Sequence, residues 1–415
     1  MSSLVDRLRA IVPAATSPKP ASSAPPRATN AADVLGGEWC GDYLVVERTY
    51  SPGYRHGRVA LADAAPPIEG WNRLGVLGGG ASPCLFLDLE TTGLAGGAGT
   101  YAFLVGLAWF DRCSFRVRQF FLASFASEPV LLHALRDIAA ETGTVVTYNG
   151  KSFDLPLLET RYVVNRMETP FAGLPHVDMV HPARRMWRTS GEPDEEGDGS
   201  TSCRLTSLER TLCGHERDGD VPGFEIPARY FHFVRTGEAR QLEAVLEHNR
   251  QDLLSLALVT ARAAQLLDEG PGSSRAAREA LGLGQLYERS GLAVEARAAF
   301  ARAAELPCAD VTTRAEVLRA LAVVCRRARD YVIAANAWRE ILELRGCPAV
   351  IVREATEALA VHHEHRLRDP SSARAFAVKS LRLPATQSRR EALEHRLARL
   401  DRKLGNAAPD VAPLF

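Results

Sequence analysis

None of the eight cysteines, at positions 40, 84, 113, 203, 213, 308, 325 and 347, forms a Cys-x-x-Cys pair. That scatter excludes the spacing of zinc fingers and of dithiol redox motifs. Thiols so dispersed in a chain of 415 residues read as small buried hydrophobes in a reducing compartment. Excess charge is also missing, since 50 Lys and Arg balance 50 Asp and Glu. A generally basic surface for nucleic acid is therefore excluded, and any polyanion must be held by a local patch or by metal ions. No apolar run reaches the ~18–20 residues that a membrane span takes. The opening MSSLVDRLRAIV has neither the long apolar core nor the cleavage site of a signal peptide. These absences predict a cytoplasmic protein with no membrane partner.

What remains is globular in composition, with 46% apolar and 24% charged residues. The length suggests two or three domains. Residues 1–33 hold the run PAATSPKPASSAPPRATNAA, too rich in Pro, Ala and Ser to bury a core, and are expected to be disordered. Residues 34–82 are mixed, with aromatic and Gly punctuation, and read as an N-terminal extension packed on the domain that begins at residue 83. From there the pattern sharpens. CLFLDLE (84–90), YAFLVGLAWF (101–110) and FRVRQFFLA (115–123) read as strands, the last half-exposed by its alternation. A helix is expected over 127–141, a strand over 144–149, a helix over 153–167 and a strand over 176–180. Residues 189–202 are acidic and Gly-bearing and read as a loop; helices return at 204–213 and 238–267. This order predicts a mixed α/β sheet flanked by helices over 83–268.

EGPGSSR (269–275) reads as a linker. Beyond it, over 276–403, the chain becomes helical and repetitive. Ala296, Ala334 and Ala373 recur at like positions, 38 and 39 residues apart. Leu283, Gly284, Tyr287, Phe300 and Ala303 complete the first unit. The pattern resembles tetratricopeptide repeats, with a period longer than that family's ~34 residues. The resemblance implies an all-α repeat domain and a protein partner on it.

The chemistry-bearing residues begin with Asp88 and Glu90. Strand alternation puts both carboxylates on one face, about 6–7 Å apart along the chain, where they can hold hard cations. Alone the pair says little, because about one or two such pairs arise by chance in a chain this long. Context adds to it. A Thr-Thr-Gly turn comes next in FLDLETTGL, Asp154 sits where a strand hands over to a helix in TYNGKSFDLPLL, and Asp252 lies in the apolar helix of HNRQDLLSL. His248 stands four residues before Asp252, on the same helical face. Asp178, in HVDMV, reads either as an acid that supports the site from behind or simply as a strand-end acid. His181, His215, His232 and the run His362, His363 and His365 have no accompanying acid or Cys pattern and read as structural or solvated.

These ordered strings resemble the three motifs of the DEDD exonucleases, which have the ribonuclease H-like fold. Within that superfamily they are most similar to a group of bacterial exonucleases whose nuclease domain can be followed by tetratricopeptide-like repeats. The resemblance covers roughly residues 83–267 and, more loosely, the repeats. It implies that Asp88, Glu90, Asp154 and Asp252 bind two divalent cations, Mg²⁺ or Mn²⁺, and that His248 is the general base. His248 departs from the family, whose histidine-type members place it five residues before the last Asp; here the spacing is four, which leaves two roles open, taking the proton of the water or only orienting it. The resemblance also sets Thr91, Thr92, Gly93 and Leu94 beside a terminal nucleotide. Asn149 and Lys151 are candidates for ordering the second motif and for touching phosphate.

The expectation is thus a 3′–5′ exonuclease on single-stranded DNA or RNA. Two alternatives stand beside it. One is a scaffold that binds partners through its repeats and carries a vestigial nuclease domain; the other is a structure-selective endonuclease on the same fold. The full set of acids speaks against decay, and His248 beside the last Asp favours the exonuclease over the endonuclease.

Overall fold

The computed structural model describes residues 30–66, 71, 73–93, 97–112, 114–188, 203–308 and 310–405. Most of the N-terminal segment expected to be disordered, the acidic loop 189–202 and the site candidate Leu94 lie outside those residues. The chain divides into two compact units, one of residues 1–184 with 192–268 and one of 185–191 with 269–415.

The first unit is built on a seven-stranded sheet. Its strands are β1 (Glu38–Cys40), β2 (Tyr43–Tyr50), β5 (Cys84–Thr91), β6 (Ala102–Asp111), β7 (Ser114–Phe121), β8 (Thr144–Thr147) and β9 (His176–Asp178). The order is β1-β2-β7-β6-β5-β8-β9. Strands β5, β8 and β9 run parallel, and the other pairings are antiparallel. A small ribbon of β3 (Arg55–His56) and β4 (Val59–Ala60) stands apart from the sheet. The longer helices of this unit are α1 (Glu128–Ala140), α2 (Asp154–Val164), α3 (Val180–Met186), α4 (Ile226–Thr236) and α5 (Glu243–Glu269).

Strand β5 is apolar on both faces because both are covered. Leu85, Leu87 and Leu89 join one core with Phe103, Phe121, Leu131 and Leu158. Phe86 packs edge-on against Phe110 on the opposite face, the face that alternation also assigns to Asp88 and Glu90.

Two expectations need correction. Residues 31–33, assigned to the disordered segment, open a short helical turn over Ala31–Leu35 whose Ala31 and Leu35 are buried. The extension is not merely packed on the sheet: β2 pairs with β7 along seven residues, from Leu44 opposite Phe121 to Tyr50 opposite Phe115. Strand β7 lies between β2 and β6; its Arg116 and Arg118 side chains are half-exposed, as the alternation predicts, whereas Gln119 is buried. Helix α4 is an addition to the expected elements. Its sequence IPARYFHFVRT is rich in aromatic and β-branched residues, which are mediocre helix formers, and tertiary burial of Ile226, Tyr230 and Phe233 decides the matter.

The second unit is all-helical. Helices α6 (Ala277–Arg289), α7 (Ala293–Glu305), α8 (Val311–Arg327), α9 (Tyr331–Glu343), α10 (Ala349–His362), α11 (Pro370–Leu381) and α12 (Gln387–Gly405) succeed one another as hairpins. Ala296, Ala334 and Ala373 are buried on α7, α9 and α11. A Cβ on Gly284 would come within 2.4 Å of the Phe300 ring, so the small residue lets α6 and α7 close. The turns repeat as well: Gly291, Arg329 and Arg368 take left-handed φ of 76°, 63° and 54°. The same 38- and 39-residue steps separate them. No helix among the described residues is long and apolar enough to cross a membrane.

Candidate active site

Asp88, Gly106 and Gln119 stand abreast on β5, β6 and β7. Asn249 of α5, fully buried, lies across that row. Its Nδ2 donates to Asp88 Oδ2 at 2.8 Å and to the Asp88 carbonyl at 3.2 Å. Gln119 Nε2 in turn donates to Asn249 Oδ1 at 2.8 Å and to the Leu246 carbonyl at 2.7 Å. A Cβ on Gly106 would lie 2.2 Å from Asn249 Oδ1, so only glycine leaves room for this crossing. The network fixes α5, with His248 and Asp252, over the acid-bearing face of β5.

Asp154 opens α2. The helix is held by a buried ion pair in which Arg161 Nε and Nη2 donate to the two oxygens of Glu128, both at 2.6 Å. Arg161 Nη1 reaches the Ala98 carbonyl at 2.5 Å. The loop before α2 is anchored by Asp178 of β9, which accepts from the backbone N–H of Asn149 at 2.6 Å and of Lys151 at 3.0 Å. Asn149 takes a left-handed φ of 67°, a conformation asparagine tolerates better than most residues. Asp178 is thus a positioning acid that no local pattern singles out. Phe153, beside Asp154, is 58% exposed.

The acids sense one another. Burial first, then the charges of Asp252 and Asp154, push the Asp88 carboxyl well above its ordinary range. Glu90 is raised in the same way by burial and by Asp88, Asp252 and Asp154. Asp154 is pushed up to about 7 by burial, Asp178 and Asp252. Buried carboxylates that raise each other in this manner are a standing demand for cations. Four oxygen donors of this kind fit hard ions such as Mg²⁺ or Mn²⁺.

Across from them, Arg217 Nη2 donates to Asp252 Oδ1 at 2.5 Å and to Glu209 Oε2 at 2.7 Å; its Nη1 meets Asp220 Oδ2 at 3.2 Å. Asp220 Oδ1 also faces His248 Nδ1 at 2.6 Å, while His248 Nε2 lies 3.5 Å from Asp252 Oδ2. Burial alone would lower the His248 pKa, but the Asp220 hydrogen bond and the Asp252 charge outweigh it and raise it. Glu209 is 1% exposed. Burial works against its charge, but His56 and Arg217 hold its carboxyl below the ordinary value.

Among the described residues, the group of three metal-ligating side chains whose donor atoms gather within 4.8 Å is His56, Glu209 and His215, not the four acids. The two imidazoles are stacked, with centroids 4.0 Å apart and planes 26° from parallel. Lone pairs lie in the ring planes, so two rings face to face cannot both aim at one ion. We read the group as a brace for Glu209, and through Arg217 for Asp252. His215, assigned a structural or solvated role, belongs to this brace.

Of the other candidates, Thr91 Oγ1 donates to the Gly93 carbonyl at 3.0 Å, and Thr92 Oγ1 accepts from Tyr101 N–H at 2.9 Å. Both hydroxyls shape the turn after Glu90. Lys151 is exposed on the loop that Asp178 anchors.

Residues 85–264 match the family model described as RNase H superfamily, and this stretch is an RNase H-like domain, a fold that typically carries nuclease chemistry. A curated relative, described as uncharacterized protein YprB of Bacillus subtilis (strain 168), is 33% identical over 226 residues, covering 53% of this chain and 52% of its own length. The chain thus spans about half the length of that relative. A solved structure with some likeness is the family B DNA polymerase from the hyperthermophilic archaeon Pyrobaculum calidifontis, at 14% identity and a TM-score of 0.35, covering 60% of this chain and 30% of that one.

Proposed function

We propose that this protein is a cytoplasmic, metal-dependent 3′–5′ exonuclease of the DEDD type that hydrolyses single-stranded DNA or RNA. The observation that carries the reading is that Asp88, Glu90 and Asp154, on β5 and α2, are all raised by burial and by the charge of Asp252 on α5. Four acids from β5, α2 and α5 share one electrostatic site inside an RNase H-like domain. They would hold two Mg²⁺ or Mn²⁺ ions, which when bound steady the attacking and leaving oxygens of a phosphodiester and ready a water for attack.

The chain's own groups supply the rest. His248, oriented through Nδ1 by Asp220, presents Nε2 to the site and takes the proton of the attacking water. Asn249 keeps Asp88 in register with α5. Lys151, exposed on the loop before α2, would meet a phosphate, and the exposed ring of Phe153 would offer a face on which a base can stack. The turn Thr91–Gly93 gives close backbone approach to the terminal nucleotide. In the second unit, the tetratricopeptide-like reading is supported by the recurring buried alanines and left-handed turns.

The test is incubation of the full chain with end-labelled single-stranded DNA and RNA in Mn²⁺, beside an Asp88→Ala control. A ladder growing from the 3′ end is expected, absent from the control. Internal cuts, or equal cleavage by Asp88→Ala, would overturn the reading.

A further inference from the structure

The zero net charge of the chain conceals a separation. Residues 1–268 hold 26 Lys and Arg against 32 Asp and Glu, whereas residues 269–415 hold 24 against 18. The helical unit is therefore basic, and one groove on it gathers five of its arginines.

A groove of about 480 Å³ is formed by α8, α10 and α12, with Trp338 of α9 at its base. Five guanidinium groups line it, those of Arg319, Arg326, Arg327, Arg389 and Arg396, against two carboxylates, Glu354 and Glu357. Arg319 is paired with Glu354, Arg327 with Glu288, and Arg396 with Glu364. Arg326 and Arg389 are exposed and make no ion pair among the described residues. Between the charges the lining is apolar, with Val323, Ala358 and Val361 contributing, and Val361 is 40% exposed. The Trp338 Nε1–H is buried and has no acceptor.

We propose that this groove binds the backbone of a single-stranded nucleic acid. A partner that fits must bring repeated negative charge to guanidinium groups carried on two helices, α8 and α12. It must also bring flat apolar surface to the floor between them. A nucleic acid strand has both, as phosphates and bases. An acidic peptide answers the charge and leaves the apolar floor uncovered. Preferring the nucleic acid rests in part on the nuclease reading of the first unit, but binding here needs no cleavage.

The experiment measures the anisotropy of a labelled single-stranded oligonucleotide of about 20 nucleotides with the full chain in EDTA, over a range of salt concentrations. The variants are R326A/R389A and the charge-keeping R326K/R389K. Each phosphate contact contributes about 0.7 to the salt slope, or about 5-fold in affinity at ~0.1 M salt. R326A/R389A should therefore bind about 25-fold more weakly, with a slope smaller by about 1.4. R326K/R389K should keep most of both, and circular dichroism should show all three chains equally folded. Unchanged affinity and slope in R326A/R389A would overturn the proposal. So would tighter, Arg326- and Arg389-dependent binding of polyglutamate than of the oligonucleotide. A chain that binds the oligonucleotide through these arginines but never cleaves it in Mn²⁺ would refute the nuclease reading and leave the groove standing.

Discussion

Asn249 donates a 2.8 Å hydrogen bond to Asp88 Oδ2 and is itself held by Gln119. One buried amide thereby joins three strands to the helix that carries His248 and Asp252. Replacing it with alanine leaves Gln119 with only the Leu246 carbonyl as acceptor and removes the Asn249 donor from Asp88, at a cost of about 1–3 kcal/mol. Urea unfolding should show a loss of that size for Asn249→Ala. Gly106→Ala should reproduce much of it, because the added methyl needs the space that Asn249 occupies. Wild-type stability in both would mean that the amide is a bystander.

The Asp220–His248 contact gives a prediction in pH. Asp220 raises the His248 pKa, so Asp220→Asn should lower it. In the proposed role of base, His248 acts only when neutral. The acid limb of the kcat/KM profile should therefore move to lower pH in the variant, while kcat falls because the ring is no longer held in one orientation. An acid limb that stays in place would assign it to another group.

The acid cluster predicts how the metal-free protein responds to pH. Asp154 has its pKa pushed up from 3.8 to about 7, and Asp88 and Glu90 are raised as well. Between about pH 4 and pH 7 the folded chain then binds more protons than the unfolded one, so its stability falls as pH rises through that window. In EDTA the Tm should be lower at about pH 8 than at about pH 5. Adding Mn²⁺ should raise it more at the higher pH, where the carboxylates are free to bind. Equal gains at both would argue against metal held by these acids.

Phe153→Ala tests the exposed ring beside Asp154. If a base stacks there, its loss costs ~1–3 kcal/mol of binding, or roughly 5- to 150-fold in KM, with kcat little changed. An unchanged KM would remove Phe153 from the substrate path.

The candidate site was partly legible because two of its elements obey local rules. Strand alternation put Asp88 and Glu90 on one face, and helical spacing put His248 beside Asp252. Nothing local marks Asp178, Asp220, Arg217 or Asn249. Asp178 serves a loop 27 to 29 residues away, and Asn249 reaches a strand 161 residues away. Their roles exist only once the sheet and helices have met. The main strands of the sheet were readable as apolar runs between turns. The first two were not, because their mixed faces gain sense only from the strand they join.

That union has a practical consequence. A fragment cut at residue 83, where the apolar pattern begins, would lose β2 and turn β7 into an edge strand, with every second residue of the seven that face β2 presenting a bare amide and carbonyl to solvent, an open template for other copies to stack upon. It would also discard His56, stranding Glu209 in the interior with one fewer counter-group. Anyone wishing to isolate the RNase H-like unit should start upstream of Ala31.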